Sequence, residues 1–119
     1  MKNFRSISMF AVMTLTAIAF APSLFAQASP RVIPIVAKQF GYSPNEVHLK
    51  QGEAVTLVLT TEDVAHGLKS KELQLDAKIV PGAEIKVSLT PQAAGQFTAF
   101  CSTLCGSGHR SMKMAFIVE

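Results

Sequence analysis

From residue 31 to residue 118 the chain alternates apolar and polar residues with a period of two, and turn signals cut the alternation into short runs. That pattern constrains the fold more than anything else in the sequence. In 54–61 (AVTLVLTT), Val55, Leu57 and Leu59 point one way while Thr56, Val58 and Thr60 point the other; a strand separates them into two faces and a helix would scatter them. The same reading holds for 31–38 (RVIPIVAK), 46–50, 84–89, 96–101 and 113–118. Pro34 confines the first strand to a sheet edge, because it has no N–H for a ladder. Ser43-Pro44-Asn45, Gln51-Gly52, Pro81-Gly82 and residues 91–95 supply the turns. Seven or so short strands separated this way predict an all-β Greek-key β-sandwich. The stretch 62–80 is less regular, and 69–77 has room for a helical turn.

The N-terminus is of another kind. Lys2 and Arg5 precede an uncharged apolar run over 8–21, Pro22 and Ser23 break it, and Ala26-Gln27-Ala28 offers the small residues of a cleavage site. This predicts a signal peptide over 1–28, cut after Ala28 with Ala26 as second choice, and one domain over 29–119. The rival is an uncleaved membrane anchor, since residues 7–26 carry no charge and nearly reach spanning length. The Ser and Thr content and Pro22 favour the leader. The expected location is periplasmic or otherwise exported, and with the anchor retained it becomes the outer face of the membrane.

Charge narrows the partners. The whole chain has 11 Lys and Arg against 8 Asp and Glu; removing Lys2 and Arg5 leaves nine against eight, a net +1. Without a basic cluster there is no footprint for nucleic acid. A domain this small often needs a staple beyond its core, such as a disulfide or a metal.

Chemistry concentrates in Cys101-Ser102-Thr103-Leu104-Cys105-Gly106-Ser107-Gly108-His109-Arg110-Ser111-Met112, which holds both cysteines between two expected strands. Thiolate, imidazole and thioether form a soft donor set that suits copper. Gly106 and Gly108 let the loop curl tightly. A mononuclear blue-copper site takes one Cys, two His and a weak Met, and Cys105, His109 and Met112 supply all but one His. His48 alternates with Val47 and Leu49 and is expected on a solvated face; His66, beyond the end of a strand, is the better candidate. Cys101 is then left over, unless two sulfurs bridge two ions. An exported disulfide between Cys101 and Cys105, a structural zinc on Cys101, Cys105, His109 and His66, and Met114 in place of Met112 are the competing readings.

Together with Phe40-Gly41-Tyr42-Ser43-Pro44, Asp63-Val64-Ala65-His66 and Val80-Pro81-Gly82, this loop resembles the binuclear copper A (CuA) domain of cytochrome c oxidase subunit II and nitrous oxide reductase, a cupredoxin β-sandwich. The resemblance implies two coppers per chain, bridged by Cys101 and Cys105, with His66 and His109 each on one ion. It also implies weak ligation by Met112 and by the backbone carbonyl of Thr103. The implied function is electron transfer by a monomer that is no enzyme by itself, with a small redox protein such as a cytochrome c or a respiratory oxidase as partner. Copper delivery or storage for oxidase assembly is the alternative. Two departures stand out: Thr103 replaces a Glu common in the family, and the chain has no Trp for an aromatic docking patch. Asp63 and Ser107 are the expected hydrogen-bond partners of the ligands.

Overall fold

The computed structural model describes residues 17–19, 21 and 29–119, so the expected leader and its cleavage site lie almost wholly outside the described residues. Among the described residues no helix is long and apolar enough to cross a membrane. Nine strands follow in order: β1 (Arg31–Lys38), β2 (Gly41–Ser43), β3 (Glu46–Leu49), β4 (Val55–Thr61), β5 (His66–Ser70), β6 (Leu75–Ile79), β7 (Ile85–Leu89), β8 (Gly95–Phe100) and β9 (Lys113–Val118). They form a four-stranded sheet in the order β2-β1-β4-β7 and a five-stranded sheet in the order β3-β9-β8-β5-β6.

Alternation decides which faces meet. Ile33, Ile35 and Ala37 of β1 and Val55, Leu57 and Leu59 of β4 are buried from one sheet; Leu75, Ala77 and Ile79 of β6 and Met114, Phe116 and Val118 of β9 are buried from the other. Aliphatic side chains interdigitate between two sheets stacked face to face, and Phe116 is among the largest fully buried side chains. β1 and β4 run parallel, a pairing that a single hairpin cannot make; the chain crosses through β2 and β3 between them. β1 lies between β2 and β4 rather than at the edge expected of it, but β2 pairs only with Val36 to Lys38, so the first half of β1, with Pro34, keeps one open side.

The stretch 62–80 departs from expectation. Instead of a helical turn over 69–77 it forms the antiparallel hairpin β5–β6, in which Gln74 N–H donates to Lys71 O at 3.1 Å and Gln74 takes a positive φ of 53°. β6 alternates strictly, with Asp76 and Lys78 exposed, so burial of its other three residues outweighs any local helical preference. His66 is accordingly the first residue of β5 rather than a loop residue.

The topology gathers one end of the sandwich. The corner after β1, the start of β5, the end of β8 and the start of β9 meet there, as hydrogen bonds from Gln39 to both Asp63 and Cys105 demonstrate.

Candidate metal centre

Cys101 N–H donates to Met112 O at 3.1 Å, so these two residues close the mouth of the β8–β9 hairpin and the loop between them stands out from the sheet end. Within the loop His109 N–H donates to Gly106 O at 3.2 Å and Ser111 N–H to Gly108 O at 3.0 Å, forming a single 3-10 turn over His109–Ser111. Gly106 has φ 140°, a conformation that side-chain-bearing residues rarely adopt. The tight curl turns Cys105, His109 and Met112 toward Cys101.

The donor atoms converge. Cys101 Sγ lies 3.6 Å from Cys105 Sγ. His66 Nδ1 is 4.0 Å from Cys101 Sγ, and His109 Nδ1 is 3.8 Å from Cys105 Sγ. Thr103 O lies 3.0 Å from Cys101 Sγ, and Met112 Sδ lies 3.8 Å from Cys105 Sγ. His66, Cys101 and Cys105 also place one ligand atom each within 4.8 Å of one another. All six residues singled out from the sequence thus stand in one cluster. His66 and Met112 are fully buried, Cys101 and Cys105 nearly so, and His109 is half-buried.

The rejected candidates lie elsewhere. His48 sits on the outer face of β3 beside Glu46, 2.9 Å from its Oε1, and Met114 packs into the core from β9. Ser107 is exposed and makes no hydrogen bond to the cluster among the described residues.

The residues behind the cluster fix its rings and sulfurs. Asp63 Oδ1 is 2.7 Å from His66 Nε2, which leaves Nδ1 for the sulfur side. Asp63 also accepts from the backbone N–H of Gln39 and of Val64, each at 2.7 Å, and with the His66 ring these bonds hold its carboxyl well below the usual carboxylate range; the Gln39 bond contributes most. Gly67 N–H donates to Cys101 Sγ at 3.4 Å, while Gly67 O accepts from the Tyr42 hydroxyl. Burial, reinforced by Cys101 and Cys105, raises the Tyr42 phenol well above its ordinary value, so it remains a donor. Gln39 and Tyr42 were not visible as site residues in the sequence, for their partners are 66 and 25 residues away.

The sequence matches the cupredoxin-like domain family over residues 7–118. The chain belongs to that family. This cupredoxin is 29% identical to cytochrome c oxidase subunit 2 of Thermus thermophilus over 85 residues, which span 71% of this chain and 63% of that protein, just under two thirds of its length. Its fold superposes on the periplasmic domain of subunit II of cytochrome oxidase from Bradyrhizobium japonicum with a TM-score of 0.70 at 19% identity, covering 78% of this chain and 86% of that one. Auracyanin A, a blue copper protein from Chloroflexus aurantiacus, shares the fold at a TM-score of 0.63 and 17% identity, covering 76% of this chain and all of its own.

The donors of this cupredoxin fit copper. Two donors on one ion with bonds of about 2.0 to 2.3 Å stand roughly 3.3 to 3.8 Å apart when the bonds diverge tetrahedrally; three of the five separations above lie between 3.6 and 3.8 Å, and that from His66 to Cys101 is 4.0 Å. Soft sulfur and imidazole donors in a nearly dry pocket suit that metal. Burial and the neighbouring Cys101 push the Cys105 thiol up to about 11, so in the metal-free chain it is protonated at neutral pH and must release its proton to bind a metal.

Proposed function

We propose that this cupredoxin is an exported electron-transfer protein that holds a CuA-type pair of coppers. In this reading Cys101 and Cys105 would hold both ions, His66 would serve one and His109 the other, and Met112 and the Thr103 carbonyl would be weak donors. The observation that carries it is the pairing of each sulfur with its own imidazole: His66 Nδ1 beside Cys101 and His109 Nδ1 beside Cys105, with the sulfurs 3.6 Å apart. A mononuclear blue-copper site, with one Cys, two His and a weak Met, has no use for the second sulfur. The similarity to an oxidase subunit 2 over most of the domain supports the same reading.

When bound, the copper pair supplies a centre that accepts one electron and shares it over both ions. The protein's own residues keep that centre from rearranging. Strand ends β5 and β8 hold His66 and Cys101, and the Asp63 carboxylate fixes the His66 ring. Fully buried Met112 and the buried face of Tyr42 exclude water from the sulfurs, while the half-buried His109 ring is the side open to a redox partner. That partner is a small exported redox protein such as a cytochrome c, or a respiratory oxidase.

The test is retention of copper through the redox cycle. Copper loaded into the reduced chain is expected to stay bound through repeated reduction and reoxidation in the presence of an excess of metal-free competitor. Transfer of the copper to the competitor on reduction would replace electron transfer with copper delivery.

A further inference from the structure

Gln39, at the corner between β1 and β2, touches both halves of the donor cluster without adding a donor to it. Its backbone N–H donates to Asp63 Oδ2 at 2.7 Å, and Asp63 in turn holds His66. Its side-chain amide donates to Cys105 O at 2.6 Å. Among the described residues, this is the one hydrogen bond that joins residues 102–108 to any part of the chain outside 101–112. Three of the other donors have stronger anchors. His66 belongs to the β5–β6 ladder, and Cys101 and Met112 bond each other at the mouth of β8–β9. Cys105 has no ladder at all.

The corner also lies flat on the loop. A Cβ built on Gly106 would meet Gln39 Nε2 at 2.9 Å and the Phe40 ring at 3.0 Å, and one on Gly108 would meet that ring at 2.4 Å. Two glycines therefore make room for Gln39 and Phe40, and the amide reaches the Cys105 carbonyl through that room. We infer that the Gln39 side chain is a positioning residue that sets Cys105 at its distance from Cys101 before any metal arrives. The spacing of the sulfurs is then a property of the fold, and the ion meets it ready-made. The consequence for copper rests on the function proposed above; the consequence for the loop does not.

The experiment uses the whole chain with Gln39→Met, which keeps the length and removes the amide donor, and Gln39→Glu, which sets a carboxylate against the carbonyl. Both leave the backbone N–H on Asp63. NMR order parameters of the reduced, metal-free chain should be near the rigid value of about 0.85 across 102–108 in the parent, and fall below about 0.6 there in either variant while β1, β4 and β9 stay rigid. With copper bound, the variants should show two unequal nuclei in the magnetic spectrum, a change that loss of stability alone does not produce. Either variant suffices if the other does not fold. Loop order parameters equal to the parent's, or a fall spread evenly over the strands, would overturn the inference. A loosened loop in a chain that binds fewer than two coppers would uphold the role of Gln39 and remove the binuclear reading.

Discussion

Gly67→Ala adds one methyl between β5 and the cysteine loop, and the structure gives its cost. The new Cβ would lie 2.0 Å from Ser102 Oγ, 2.8 Å from Ser102 N and 3.0 Å from Thr103 N. Rotating the Ser102 side chain relieves the first contact; the other two are backbone and stay. Bringing 2.8 Å out to the ordinary 3.4 Å requires the strand and loop to part by about 0.6 Å. That shift weakens the Gly67 N–H to Cys101 Sγ contact and the Tyr42 hydroxyl bond to Gly67 O together. Overpacking of this kind costs about 1 to 3 kcal/mol, against which the lower freedom of Ala in the unfolded chain returns about 0.4 to 1 kcal/mol. The expected net loss is about 0 to 2.6 kcal/mol. In urea, with a slope of about 1 to 3 kcal/mol per molar, the midpoint should fall by roughly 1 M. Adding Ser102→Gly removes only the side-chain clash and should recover less than half of the loss. A midpoint for Gly67→Ala above the parent's would refute the claim that β5 and the loop meet without spare room.

Cys101→Ser should take up one copper where the parent takes two, as counted by metal analysis, and Cys105→Ser should form no coloured site; an unchanged copper count in Cys101→Ser contradicts the sharing of both sulfurs. Met112→Leu should keep the colour and raise the redox potential, because losing a weak thioether donor destabilises copper(II) relative to copper(I), while Met114→Leu, in the core, should leave the potential where it was. Burial raises the Cys105 thiol from 9.0 to about 11, so the folded, metal-free chain holds that proton more tightly than the unfolded one. Its contribution to stability is complete below pH 9 and is lost as pH rises from about 9 to about 11. Urea midpoints across that range should decline, and a rising midpoint would contradict the shift.

The sequence disclosed strands whose outer face meets water and concealed those that are buried on both sides. β1, β3 and β4 alternate plainly between buried and less buried positions. In β5 four of five residues are buried, so the period vanishes, and β2 is only three residues long. β6 alternates as strictly as any strand, yet the turn before it, Lys71-Glu72-Leu73-Gln74, has no Gly or Pro to announce a hairpin. The donor cluster was more legible, because Cys101 through Met112 form one short loop whose residue types already name the chemistry. His66 was legible from its place after a strand, where His48 alternates with Val47 and Leu49 on a solvated face. Gln39 and Tyr42 act through a backbone carbonyl and a glycine far along the chain, contacts that no local pattern encodes.

The claim that two sulfurs are shared by two coppers is tested most directly by the magnetic spectrum of the reduced chain loaded with copper and then oxidised by air. Two coppers per chain and one unpaired electron are expected, with hyperfine structure from two equivalent copper nuclei. One copper per chain with the hyperfine pattern of a single nucleus would contradict it and leave a mononuclear cupredoxin site with Cys101 outside the metal's reach.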